Sequence, residues 1–216
     1  MPGRILMLFG TSYGQTAKIA TRLSAALMER GHYVTMMNAL QAPPTSLTTF
    51  DAIVIGSSII ARGHQKAVER YIKNNVAFLS TLPTAFFSVS ASAGSRDPKG
   101  RAAAERVRDE FLESVGWSPT LRVSIAGAVN YTRYNWLLRW YMKRASAKGG
   151  GATDTSRDHE YTDWNQVQQF AREIAQLIEP RQAAAREPQD LRVARAAVGV
   201  EPPLGRRNIS APLATH

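Results

Sequence analysis

Arg4-Ile5-Leu6-Met7-Leu8-Phe9, continued by Gly10-Thr11-Ser12-Tyr13-Gly14-Gln15-Thr16, is the stretch that decides how this chain folds. The first six residues form a short, nearly continuous apolar run, as a strand buried on both faces requires. The next seven are small and polar. Ile19, Leu23 and Leu27 then recur at four-residue steps until Gly31, a place where a left-handed residue can end a helix. Strand, turn and helix in this order put the unpaired N–H groups of a helix start, and its positive end, at the carboxyl end of a strand. A phosphate group would be held there, with the hydroxyls of Thr11, Ser12 and Thr16 as further donors. The same residue types also make ordinary helix caps, so spacing alone leaves both readings open. The loop carries neither GxxxxGK[ST] nor GxGxxG, which argues against a P-loop nucleotidase and an ordinary NAD domain.

Working outward, Tyr33–Met37, Ala52–Gly56, Thr84–Val89 and Leu121–Ala126 read as further strands. Helices are expected over about Gln65–Leu79, Lys99–Val115 and Trp164–Ile178, the last opened by Asp163 and Gln166 at capping-box spacing. Strand and helix alternate five times and the strands are apolar throughout, the pattern of a parallel sheet covered by helices on both faces. Ligands in such sheets bind at the carboxyl ends of the strands. Two segments break the alternation. Gly127–Tyr161 is far longer than a usual connection, and the tail after Pro180 is rich in Ala and Arg and broken by four prolines.

The 216 residues contain no cysteine, which excludes a disulfide scaffold, cysteine-ligated metal and a cysteine nucleophile. No apolar run reaches bilayer length, and the first apolar run is too short for a signal peptide, so a cytoplasmic location is expected. His32 and His159 stand apart from any acidic cluster, and no metal site is expected. A net charge of +10 favours anionic partners, of which the tail contributes +3. A phosphoacceptor receiver domain shares the architecture, but needs carboxylates where this chain has Gly10-Thr11 and Gly56-Ser57.

Gly10–Thr16 resembles the flavin mononucleotide (FMN) phosphate loop of the flavodoxin superfamily. Gly56-Ser57-Ser58-Ile59-Ile60-Ala61-Arg62-Gly63-His64 resembles the loop that follows the third strand there. More narrowly, the chain resembles the flavodoxin-like, quinone-dependent protoporphyrinogen IX dehydrogenases. The matching elements are Gly14-Gln15-Thr16, Val54-Ile55-Gly56-Ser57-Ser58-Ile59, Ala85-Phe86-Phe87-Ser88-Val89, Ile125-Ala126-Gly127-Ala128, Gly150-Gly151-Ala152-Thr153-Asp154-Thr155 and Tyr161-Thr162-Asp163-Trp164, in order over residues 4–179. The resemblance implies an α/β fold with a doubly wound five-stranded parallel sheet of order 2-1-3-4-5. Residues 1–179 would form the FMN-binding domain, with an insertion at about 128–160 near the fifth strand; 180–216 is expected from its composition to be a mostly disordered tail.

It further implies that Thr11, Ser12, Tyr13, Gly14, Gln15 and Thr16 hold the phosphate. Ser57, Ser58, Ile59, Ala61 and Gly63 would pass the isoalloxazine ring, with Ser90, Ala91, Ser92 and Gly94 closing on it from the fourth-strand loop. Arg62 and Arg133 are the candidates to face substrate, and His64 either joins them or caps the following helix. In Asn130–Lys148, Tyr131, Tyr134, Trp136, Trp140 and Tyr141 are interleaved with Arg133, Arg139, Lys143, Arg144 and Lys148, without an acid. An amphipathic helix over Trp136–Arg144 would put rings at a headgroup boundary and cations on anionic lipid. The same segment could also stack on a flat macrocycle or pair with its propionates, and the bland alternative is a solvated loop with a few packed aromatics. Nucleic acid ranks lower, since no nucleic-acid fold signature accompanies the cluster.

The expected activity is therefore FMN-dependent oxidation of protoporphyrinogen IX to protoporphyrin IX in haem synthesis, with electrons passed to a membrane quinone. The protein would associate peripherally with the inner face of the cell membrane. A homo-oligomer is compatible with the sequence. Two other readings stay open: a flavodoxin-like electron carrier or quinone reductase with another donor, and a cofactor-free membrane-associated binding module. The basic balance argues against the carrier, which would present an acidic docking face.

Overall fold

The computed structural model describes residues 2–41, 47–60, 63–148 and 151–186. Two compact units divide the chain, 1–182 and 183–216; of the second, only the helical residues 183–186 are among those described. In chain order the elements are β1 (Arg4–Gly10), α1 (Gln15–Met28), β2 (Tyr33–Asn38), β3 (Ala52–Ile60), β4 (Gly63–His64), α2 (Lys66–Leu79), β5 (Thr84–Ser90) and α3 (Pro98–Ser114). They continue with β6 (Leu121–Ala126), β7 (Ala128–Val129), α4 (Trp136–Lys148), β8 (His159–Glu160) and α5 (Trp164–Arg186).

The five long strands are parallel in the order β2-β1-β3-β5-β6, which is the expected 2-1-3-4-5 once the two-residue β4 is set aside. Successive residues of β1 serve opposite layers, as the two-residue period of a strand requires. Ile5 and Met7 pack with Ile19, Leu23 and Leu27 of α1 and Val167, Phe170 and Ile174 of α5. Leu6 and Leu8 pack with Val68 and Ile72 of α2 and Leu112 of α3. Both faces of the central strands β1, β3 and β5 are thus closed and their apolar character follows, whereas the edge strands β2 and β6 are partly exposed and carry polar residues, against the expectation of strands apolar throughout. β1 lies between β2 and β3, so the chain leaves it in opposite directions at this point, where doubly wound sheets place their ligand.

The structure extends or revises three further expectations about the elements. β3 does not end at Gly56: Ser57 and Ser58 stay in register with Ser88 and Val89 of β5, and Ile59 and Ile60 turn back on β4 as a hairpin. At Gly56 a Cβ would lie 2.0 Å from the Phe87 ring, so only glycine fits this rung. Gln166 does not complete the capping box: its N–H meets Asp163 Oδ1 at 3.3 Å, but its amide donates to Ser124 O instead. α5 runs past Ile178 to Arg186, so the boundary expected at 180 falls inside a helix; the rest of the tail, 187–216, lies outside the described residues.

The insertion is not one kind of surface. Tyr131 is fully buried and Tyr134 nearly so, forming a small cluster of their own with Val129, and they do not face a headgroup boundary. Tyr131 donates its hydroxyl proton to Ala152 O at 3.0 Å. Trp136 and Trp140 are 79% and 60% exposed. The excursion leaves through β7 and returns through β8, and the two pair as an antiparallel ribbon, Ala128 with Glu160 and Val129 with His159.

Candidate functional site

The turn after β1 closes on Gly14, whose φ of 95° a side chain would resist, and α1 begins at the next residue. The Gly14 N–H donates to Thr11 Oγ1 at 2.9 Å. Thr16, the second residue of α1, is buried, and its Oγ1 has no hydrogen-bond partner. Leaving such a hydroxyl unpaired costs about 1–3 kcal/mol, which an anionic ligand oxygen at the helix start would recover. A hydroxyl without a partner, a glycine-shaped turn and the positive end of α1 together fit a phosphate group.

The turn opens on a cleft between β3, β5 and the insertion. Thr11, Tyr13, Gln15 and Thr16 line it from the first loop, Ser58 and Ile59 from β3, and Ser90 and Ala91 from the end of β5. Ser12 lies beside it: Gln65 Nε2 donates to Ser12 Oγ at 2.6 Å and to Ser58 Oγ at 2.9 Å, tying the two loops together. Ser57 is buried and accepts the Gln65 N–H at 3.1 Å. Gly63 is exposed and pairs with Ile60 in the hairpin. Ser90 Oγ takes the Ala93 N–H and meets Ser92 Oγ at 3.2 Å, which shapes the loop carrying Gly94. Ala61 and Arg62 lie outside the described residues.

Arg133 comes to the first loop from the insertion, its Nη1 donating to Tyr13 O at 3.4 Å, and Asn130 Nδ2 reaches the same oxygen at 3.4 Å. The Tyr13 ring meets Tyr134 edge-on at 4.8 Å. Gln15 Nε2 donates to Thr162 Oγ1, which donates on to Ala126 O, joining the start of α1 to the segment that follows the insertion. Gln65, Asn130, Tyr134 and Thr162 were not visible as site residues in the sequence. Each is an isolated polar or aromatic residue tens of positions from the loop it supports, or, in Gln65, one hidden at a helix boundary.

His64 neither caps α2 nor faces the cleft. Its Nε2 lies 2.9 Å from Ser88 Oγ, and its ring stacks on Phe111 at 4.2 Å. Burial lowers its pKa from 6.5 to about 4, so it is neutral at physiological pH and anchors the hairpin from below.

Comparison with known proteins agrees with this geometry. A family model described as a flavodoxin domain matches residues 6–156. The rubredoxin oxygen:oxidoreductase of the anaerobe Desulfovibrio gigas shares the fold, with a TM-score of 0.52 at 16% identity over 85% of this chain; the match spans 38% of that protein. Protoporphyrinogen IX dehydrogenase [quinone] of Escherichia coli K12 is 36% identical over 177 residues, 82% of this chain and 97% of that one. The Leishmania major protein of the same name is 31% identical over 84% of this chain and 80% of its own. The chain belongs to the flavodoxin domain family and, within it, to the family of the quinone-dependent protoporphyrinogen IX dehydrogenases.

Proposed function

We propose that this chain binds FMN at the turn between β1 and α1, oxidises protoporphyrinogen IX to protoporphyrin IX, and delivers the electrons to a membrane quinone. The reading is carried by the similarity to the E. coli dehydrogenase along nearly that protein's whole length. The unpartnered Thr16 hydroxyl beneath the helix start supports it from the site itself. Bound FMN would supply a two-electron carrier, so a six-electron oxidation takes three rounds.

The chain's own residues do the holding. The first N–H groups of α1, with the hydroxyls of Thr11, Ser12 and Thr16, neutralise the phosphate. Gln65 fixes the spacing of the first and third loops by bridging Ser12 and Ser58. The Ser90–Gly94 loop, built of small residues, lets backbone amides approach a flat ring. Arg133, exposed and beside the first loop, is placed to meet an anionic group of a bound molecule.

Docking on an anionic membrane through the insertion belongs to the same proposal. Trp136, Leu137 and Trp140 stand out of α4 together, with the exposed Lys143 and Arg144 on the same helix. Exposed indoles beside cations, in a stretch without an acid, match a headgroup region. No helix among the described residues is long and apolar enough to cross a membrane.

The deciding experiment is an anaerobic assay of the FMN-loaded protein with protoporphyrinogen IX and a range of acceptors. Porphyrin fluorescence should rise with a quinone present. A yellow protein inert toward the porphyrinogen would favour a reductase with another donor, and a protein that stays colourless with added FMN a binding module.

A further inference from the structure

A second cavity adjoins the first. It has a volume of about 350 Å³ and lies between the Ser90–Gly94 loop, the start of α3 and the inner side of α4. Ala91 and Met142 line both spaces, so a molecule in the second cavity would sit against whatever fills the cleft. We propose that this cavity seats the ring head of the quinone acceptor; the inference rests on the reading above and assigns the acceptor a place of its own.

Size, charge and access point the same way. Small-molecule sites run from about 300 to 1,000 Å³, and this one is at the low end, room for one or two fused rings and too little for four pyrroles. Its charged lining residues are Lys99 and Asp97, one of each sign, which suits a neutral ligand. A porphyrinogen with two propionates would meet a single cation already opposed by a carboxylate. The apolar wall comes from Val129, Met142 and Ala91. Two donors suit carbonyl oxygens at the edges of a quinone: the Lys99 ammonium, and the Tyr161 hydroxyl. The Tyr161 oxygen accepts the Ala152 N–H at 2.8 Å, which leaves its own proton to give.

Access follows from α4 having two sides. Met142 and Ser146 turn inward and line the cavity, while Trp136, Leu137 and Trp140 turn outward. One helix is therefore both the wall of the cavity and the exposed aromatic surface, so an acceptor whose tail lies in lipid has its head beside the opening.

Ser146→Phe fills the cavity from α4, and Ser146→Ala removes only the hydroxyl. The full-length FMN-loaded protein is photoreduced without oxygen and mixed with menadione. Two electrons and two protons then pass from the reduced flavoprotein to menadione, giving menadiol. In Ser146→Phe the menadione concentration for half-maximal reoxidation should rise at least tenfold, while Ser146→Ala should match the parent. Saturation-transfer NMR, which needs no turnover, should show contact between menadione and the parent and lose it in Ser146→Phe. FMN affinity and the rate of flavin reduction by protoporphyrinogen IX should not change. Unchanged menadione dependence in Ser146→Phe overturns the assignment. A fall in FMN affinity gives the cavity to the flavin, and a slower reductive step gives it to the donor; either overturns it too. A parent protein inert toward protoporphyrinogen IX would count against the proposed function alone, since the menadione measurements use photoreduced protein.

Discussion

At Thr16 a single hydroxyl is shut inside the protein without a partner, while at Trp136 and Trp140 whole indoles stand in solvent. The first belongs to the carboxyl ends of the sheet, the second to the excursion beside them. Around the sheet ends, strand register and a glycine turn leave little freedom, and what remains unpaired is a polar atom suited to an anion. On the excursion the inner residues, Tyr131, Tyr134 and Val129, are packed, and Trp136, Leu137 and Trp140 are left in solvent on a helix that also carries cations. Under the proposed function, the polar turn would cradle the cofactor and the apolar, basic face would meet lipid.

The contrast breaks most severely at Gly56. Gly56→Val would drive a side chain into the Phe87 ring, and overpacking of that kind should cost about 3 kcal/mol or more, seen as loss of cooperative thermal unfolding. His64 comes next. Its pKa is lower folded than unfolded, so between about pH 6.5 and 4 the unfolded chain binds the extra proton and stability falls as the pH falls. The full loss is about 3 kcal/mol at one pKa unit per 1.36 kcal/mol. Urea titrations across this range should show His64→Gln with a flatter pH profile than the parent, and parallel profiles would mean that the ring is more solvated than its packing suggests.

Smaller effects separate the two regions directly. Lys143→Gln with Arg144→Gln should weaken binding to phosphatidylserine vesicles about thirtyfold, at roughly 1 kcal/mol per cation, with FMN affinity intact. Sedimentation with vesicles at two salt concentrations checks this, and salt-independent binding would remove the electrostatic part of the claim. Thr16→Val should raise the FMN dissociation constant about tenfold, the worth of one hydrogen bond to a charged group. The apoprotein should melt no lower than the parent, since the hydroxyl lost was unpartnered. A lower melting temperature with unchanged FMN binding would make Thr16 a structural residue only.

How much of this could be read in the sequence follows from which forces act locally. Apolar runs and four-residue spacing depend on neighbours in the chain, so the five strands and the helices α1, α2, α3 and α5 were legible to within a few residues at most of their ends. β3 was cut short because Ser57 and Ser58 look like loop residues, whereas pairing with β5 keeps them extended. The strand-to-helix turn at Gly10–Thr16 was legible, since helix start and glycine lie within seven residues. Gln65, Asn130 and Thr162 were not, because each serves a loop brought near only by the fold. The aromatic count of the insertion could not say which rings turn inward. Tyr131 and Tyr134 are held by Ala152 and Tyr13, contacts separated in sequence by 21 and about 120 positions.

The β7–β8 ribbon makes the excursion a closed loop appended to the end of the sheet. Residues 130–158 depart and come back on adjoining rungs, and the return rung is clipped to α1 by the Lys18–Glu160 pair at 2.6 Å. Because the entropy of closing a loop grows only with the logarithm of its length, a shorter or foreign segment can be spliced between those rungs without disturbing the sheet. Such chimeras would keep the sheet but lose Asn130, Arg133 and Tyr134 from Tyr13 and Met142 from the cleft, and so would separate folding from what the excursion adds to the site.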